Sequence, residues 1–134
     1  MSLIHGRSSQ LHQWHQQITE LHNKVFNLTL PYEEILGCFQ DPLWILYVDE
    51  NKVVAMAAIE EYEKSCYVYN VAVEDTKRRG YIGTRMAELA MTLFAGKSLR
   101  GIVKHDNKVA QFFYEKLGAT KEVNDDYIKY YMKV

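Results

Sequence analysis

Residues Cys66–Lys104 constrain the fold more than any other stretch of the chain. An apolar run, Cys66–Val73, leads through Glu74-Asp75-Thr76 into the loop Lys77-Arg78-Arg79-Gly80-Tyr81-Ile82-Gly83. A helical segment follows, with Met86, Ala90, Leu93 and Phe94 on its apolar face and Gly96 as its stop. A second apolar run, Leu99–Lys104, comes next. Strand, helix and strand in that order imply a parallel or crossover connection. The loop also points to a ligand. Free N–H groups at a first helical turn and the helix dipole both favour an anion. Glycine lets backbone approach a phosphate closely. A basic, glycine-bearing loop in that position therefore reads as a phosphate site.

The flanking segments supply the rest of a mixed fold. Leu11, Trp14, Ile18, Leu21 and Val25 alternate spacings of three and four, one face of a helix that Ser8 or Ser9 would cap. His12, His15 and His22 lie near one side of it. No carboxylate or cysteine completes a metal set, so they read as helix surface. Pro31 opens a second short helix over Tyr32–Phe39. Trp44–Val48, Val53–Glu60 and Cys66–Val73 form an antiparallel meander of three strands. Gly101, inside the Leu99–Lys104 strand, marks a bulge or a close backbone approach. Asn107–Leu117 is helical, with Val109, Phe112, Phe113 and Leu117 inward and Gly118 as its end. In the last strand, Ile128, Tyr130, Met132 and Val134 share one face. Ala119–Val123 pairs with it across Asn124-Asp125-Asp126.

Composition excludes several classes. The chain has 134 residues and a formal net charge of -1, which is one domain's length and no bulk attraction to nucleic acid. No apolar run reaches signal-peptide or membrane-spanning length. Cys38 and Cys66 stand in no paired or metal-binding pattern, which fits buried reduced thiols in a cytoplasmic protein.

Two motifs resemble the GNAT superfamily of acyl-CoA-dependent N-acetyltransferases. One is the family's pyrophosphate loop, R-x-x-G-x-G/A after a strand ending Val-x-Val. Here Val71-Ala72-Val73 ends the strand, Arg78 takes the first position and Gly83 the last. The family's middle glycine falls on Tyr81, and Gly80 sits one place early. The other is Asn107-Lys108-Val109-Ala110-Gln111-Phe112-Phe113-Tyr114-Glu115-Lys116-Leu117-Gly118-Ala119. It is similar to N-x-x-A-x-x-F-Y-x-K-L-G-F at every marked position except the last. The resemblance implies a single domain over residues 1–134: a mixed α/β fold with a mostly antiparallel sheet flanked by helices. The pyrophosphate loop would lie inside the strand–loop–helix crossover. The family's first strand is expected to be short or absent before Ser8.

The resemblance also assigns roles. The protein would move acetyl from acetyl-CoA to an amine of a small molecule or peptide, by direct attack in a ternary complex. Arg78, Arg79 and the amides from Gly80 through Tyr81 and Gly83 to Thr84 would hold the CoA pyrophosphate. Backbone at Val71 and Val73 would pair with the pantetheine arm, and an N–H near Val71 would polarise the thioester carbonyl. Asn107 would bond the same arm or cap its helix. Tyr114 would protonate the departing thiolate. Glu60 and Glu61 are the candidate bases, with Asn70 or Tyr69 holding a relay water as the other option. Tyr32, Glu33, Glu34, Asp125, Asp126 and Tyr127 hint at a cationic or aromatic acceptor. Members of the family often form homodimers. Tyr81 in a glycine position and the lack of an obvious base motivate the alternative of a non-catalytic CoA-binding module.

Overall fold

The computed structural model describes residues 2–37, 39, 41–74 and 81–134, with Val109 as backbone alone. The strands are β1 (Ser2–Arg7), β2 (Leu43–Asp49), β3 (Lys52–Glu61), β4 (Ser65–Val73), β5 (Ser98–Lys104), β6 (Thr120–Val123) and β7 (Tyr127–Lys133). The helices are α1 (His15–Phe26), α2 (Tyr32–Ile35), α3 (Ile82–Leu93) and α4 (Lys108–Lys116). The strands make one seven-stranded sheet in the order β1-β2-β3-β4-β5-β7-β6. Every neighbouring pair is antiparallel except β4–β5, which is parallel.

The meander forms because β2, β3 and β4 are apolar on both faces and joined by tight polar turns. Glu50 and Asn51 both take positive φ between β2 and β3, the two-residue turn whose twist matches a hairpin. Alternation along β2 sends Trp44 and Leu46 to one face, and Ile45 and Tyr47 to the other. The first face packs against Ile18 and Leu21 of α1 and Ile35 of α2. The second packs against Ile82, Met86 and Ala90 of α3. A third cluster lies under α4, where Ala110 and Tyr114 meet Val103 of β5 with Ile128 and Tyr130 of β7.

Several expectations need correction. A six-residue β1 pairs with β2 from Ser2↔Val48 to Arg7↔Leu43. Its short polar sequence hides it, because the open edge of β2 makes it a strand. Two 3-10 turns, Ser8–Gln10 and His12–Trp14, precede α1. Neither serine caps α1: the Ser8 hydroxyl pairs with the Tyr32 hydroxyl at 2.7 Å, and the Ser9 hydroxyl donates to Asp41 at 2.9 Å. The second helix stops at Ile35 rather than Phe39. Leu93 is exposed at the end of α3. In α4 the inward face carries Ala110, Tyr114, Phe113 and Leu117, while Phe112 is 59% exposed. The i, i+4 pairs 110–114 and 113–117 exclude position 112 from that stripe.

Cys66 is buried and free, its thiol directed at the Ser98 carbonyl oxygen and pushed up to about 11 by burial. Cys38 lies outside the described residues. Among those described, no group of His, Cys, Asp or Glu is arranged to hold a metal, and no helix is long and apolar enough to cross a membrane.

Candidate active site

The sheet opens at one point. β4 and β5 pair only from Ser65↔Ser98 to Val68↔Gly101, although β4 runs on to Val73 and β5 to Lys104. The cause is visible one strand over. Met56 pairs with Ala72 and Ala58 with Tyr69, so Asn70 and Val71 together face Ala57. Two residues against one is a β-bulge, which bends its strand and sharpens its twist. Asn70 takes the left-handed backbone, φ 54°, that asparagine tolerates better than most residues. Its side-chain amide donates to the Ile35 carbonyl at 3.2 Å. Beyond Val68, β4 and β5 are no longer paired among the described residues.

Two cavities meet at the open segment of β4. A cleft of about 720 Å³ lies on the α1 side, lined by His22, Val25, Phe26 and Leu28, by 70–73, by 102–104 and by Asp106, Asn107 and Lys108. An apolar cavity of about 50 Å³ lies on the α3–α4 side, lined among others by Val68, Gly83, Met86, Phe113 and Tyr114. Val71 and Val73 border both.

Tyr114 is 4% exposed, stacked on Tyr130 with ring centres 4.9 Å apart and 12° between planes. Its hydroxyl lies against Gly101. A Cβ there would collide with the hydroxyl and stand 2.6 Å from the ring's ζ carbon. Of the two readings its place in the strand allowed, Gly101 is thus a close approach, and it places the Tyr114 hydroxyl where β4 and β5 part. Burial, then the neighbouring Tyr130, raises the Tyr114 pKa and keeps the phenol protonated.

The first turn of α3 caps the open end. Arg85 N–H bonds the Tyr81 carbonyl at 2.9 Å, so the N–H groups of Ile82, Gly83 and Thr84 have no partner within the helix. Tyr81 is the N-cap at φ -82°, an ordinary right-handed value. The absent middle glycine therefore leaves no backbone strain at Tyr81. The Tyr81 hydroxyl bonds that of Tyr47, which raises its pKa, and the Arg85 guanidinium carbon stands 5.7 Å from its ring centre. Gly83 has a packing role as well, since a Cβ there would meet the Phe113 ring at 3.0 Å. Arg78, Arg79 and Gly80 lie outside the described residues. Asn107 caps α4, its Oδ1 accepting from Ala110 N–H at 3.1 Å, and it also borders the large cleft.

The carboxylates stand apart from this constellation. Glu60 pairs with Tyr67 and Glu61 with Cys66, both on the closed side of the fork. Neither lines the large cleft. Glu61 is engaged by Lys97 at 2.9 Å and Arg7 at 3.2 Å, and its pKa is lowered, chiefly by the Lys97 hydrogen bond. That makes it a weaker base. Tyr32 is occupied too, its hydroxyl accepting from Trp44 Nε1 at 3.0 Å and pairing with Ser8.

One residue changes character altogether. His22 is no surface histidine: it is 6% exposed and forms part of the cleft wall. Its position four after Ile18 and four before Phe26 was the available signal. Those spacings put it on the flank of the buried stripe.

The model of the Acetyltransferase (GNAT) family matches residues 9–119, and the chain belongs to that family. No curated protein sequence matches it. Among solved structures it is similar to smu.2055 from Streptococcus mutans UA159, at 18% identity over 99% of each chain with a TM-score of 0.82. It is also similar to Escherichia coli ElaA, at 19% identity over 99% of this chain and 100% of that one, TM-score 0.75. An aminoglycoside 6'-N-acetyltransferase complexed with coenzyme A shares 16% identity over 98% of this chain and 95% of that one, TM-score 0.70.

Proposed function

We propose that this protein transfers acetyl from acetyl-CoA directly to an amine of a small molecule or peptide, with both substrates bound at once. The observation that carries the reading is the Tyr114 hydroxyl, buried and protonated at the point where β4 and β5 separate. Acyl transfer to nitrogen expels a thiolate, and a neutral phenol beside it supplies the proton.

The other assignments follow the fork. The segment of β4 at Val71 and Val73, beyond its last rung with β5, accepts the pantetheine arm as an added strand. An N–H in the bulge at Val71 polarises the thioester carbonyl. The amides of Gly83 and Thr84 next to Tyr81, which have no partner within α3, take the pyrophosphate, aided by Arg78, Arg79 and Gly80. Asn107 keeps its cap through Oδ1 and has its amide nitrogen for the arm. Glu60, on the α1 side of the sheet beside Tyr67, attracts the acceptor's ammonium. Glu61 is a structural ion pair. Cys66, deep in the core with a raised pKa, is a poor nucleophile, which favours direct attack over a covalent intermediate. The alternative of a non-catalytic CoA-binding module loses one of its two motives, since Tyr81 takes an ordinary backbone conformation.

The test is acetyl-CoA turnover with a panel of amines. Tyr114→Phe should cut kcat by about 100-fold and leave CoA affinity within about threefold. Equal losses in both would remove Tyr114 from the chemistry.

A further inference from the structure

We propose that His22 is the base that takes the proton from the acceptor's ammonium, held by Asn23 in its one reactive tautomer. The inference rests on the acetyl transfer proposed above. His22 is the one histidine buried among the described residues, and it lines the same cleft as Ile102, Val103 and Lys104 and as Asn70 and Val71 of the bulge.

The tautomer follows from a chain of hydrogen bonds. Asn23 Nδ2 donates to the Leu30 carbonyl at 2.9 Å, and Asn23 Oδ1 accepts from Leu30 N–H at 3.3 Å. A backbone carbonyl cannot donate and an N–H cannot accept, so Leu30 fixes which end of the amide is oxygen. That oxygen is 3.1 Å from His22 Nδ1. An oxygen there requires a hydrogen on Nδ1. In the neutral ring Nε2 then carries the bare lone pair. Among the described contacts Nε2 has no hydrogen-bond partner, and the Phe26 ring, 4.9 Å away, braces the imidazole.

The charged groups around it are mostly committed to one another. On α1, Lys24 pairs with Glu74, which follows β4, and Glu20 accepts from Gln16. β3 brings Lys52, also bonded to Glu74, and Glu60 near its other end. α2 brings the exposed Glu33 and Glu34. Across the cleft stand Lys104, Asp106 and Lys108.

Acid and base thus flank the open segment of β4, His22 on the α1 side and Tyr114 on the α4 side. The acceptor R–NH3+ gives one proton to Nε2, which passes it to solvent. The freed lone pair forms a C–N bond to the thioester carbonyl carbon, and the C–S bond breaks as the tetrahedral adduct collapses. The thiolate takes the Tyr114 proton, and the second proton shed by nitrogen returns to Tyr114 through solvent. Amide, CoA thiol and one proton leave.

The experiment compares the wild type with His22→Gln and Asn23→Asp, using acetyl-CoA and three probes: tryptamine, spermidine and a peptide with a free N-terminus. His22→Gln should lower kcat/KM for the amine by about 100-fold, leave the acetyl-CoA KM within about threefold, and abolish the acid limb of the pH profile. Asn23→Asp, which keeps an oxygen on Nδ1–H, should move that limb to higher pH. Nitrogen-15 spectra of the imidazole read the tautomer without any turnover, and should show the neutral ring protonated at Nδ1. A loss under about threefold with the limb intact, or a neutral ring protonated at Nε2, overturns the assignment. Should His22→Gln fold poorly, Asn23→Asp and the spectra decide. A wild type that binds CoA and acetylates none of the amines overturns the enzymatic reading itself.

Discussion

The two halves of β4 show what separates a scaffold from a site. From Ser65 to Val68 the strand pairs with both neighbours and is ordinary sheet interior. From Asn70 to Val73 it keeps β3 and loses β5. The closed half needs only apolar side chains at period two. The open half needs specific residues: Asn70 to bend the strand, Gly101 to admit Tyr114, and Glu74 to tie the far end. Glu74 N–H bonds the Val54 carbonyl at 2.9 Å, and its carboxylate pairs with Lys52 at 2.9 Å and Lys24 at 3.4 Å. Glu74 thus ties the end of β4 to β3 and α1, on the side away from β5.

The contrast can be broken most severely at Gly101. Gly101→Ala forces the Tyr114 ring off its seat, so turnover should drop as far as in Tyr114→Phe. Overpacking should cost a further 1–3 kcal/mol, roughly, in chemical denaturation. Unchanged stability and activity would mean that the ring tolerates a shift the geometry forbids. Asn70→Val, which disfavours the left-handed backbone of the bulge, should cost about 1–2 kcal/mol and weaken CoA binding. Asn107→Ala should lower stability by about 1 kcal/mol through loss of the cap.

Glu74→Gln sharpens the comparison through pH. Its ion pairs hold the Glu74 pKa below the ordinary 4.5, chiefly by the Lys52 hydrogen bond. A carboxylate with a depressed folded value stabilises the protein above 4.5 and loses that contribution as pH falls through the folded value. The wild type should therefore lose melting temperature on acidification across that window, and Glu74→Gln should lose less. Smallest of all, Phe112→Ser should stay within about 0.5 kcal/mol of wild type, since its ring faces solvent. A larger loss would show that α4 docks against something the isolated chain does not contain.

Much of the closed scaffold was legible from residue order. Trp44–Val48, Val53–Glu60 and Cys66–Val73 announced themselves by apolar runs and polar turns, and Asn107 and Gly118 bracketed α4. The motifs extended that reading to the family and to Tyr114. The misses share one cause, contact with partners distant in the chain. β1 exists because the edge of β2 is open to it. Ser8 and Ser9 answer to Tyr32 and Asp41 rather than to α1. Glu60 and Glu61 sit opposite Tyr67 and Cys66, where β4 still pairs with β5, a placement relative to the bulge at Asn70 that their spacing could not show.

His22 marks the boundary most clearly. Its helix, and even its flank of that helix, were readable from spacing alone. That the flank faces a cleft, and that Leu30 orients Asn23 and Asn23 in turn the imidazole, required the chain to fold back on itself. Local periodicity and turn chemistry set the elements, because they act over three or four residues. The fork, the cleft and the tautomer came from tertiary structure, because hydrogen bonds between distant backbone groups have no signature in residue order.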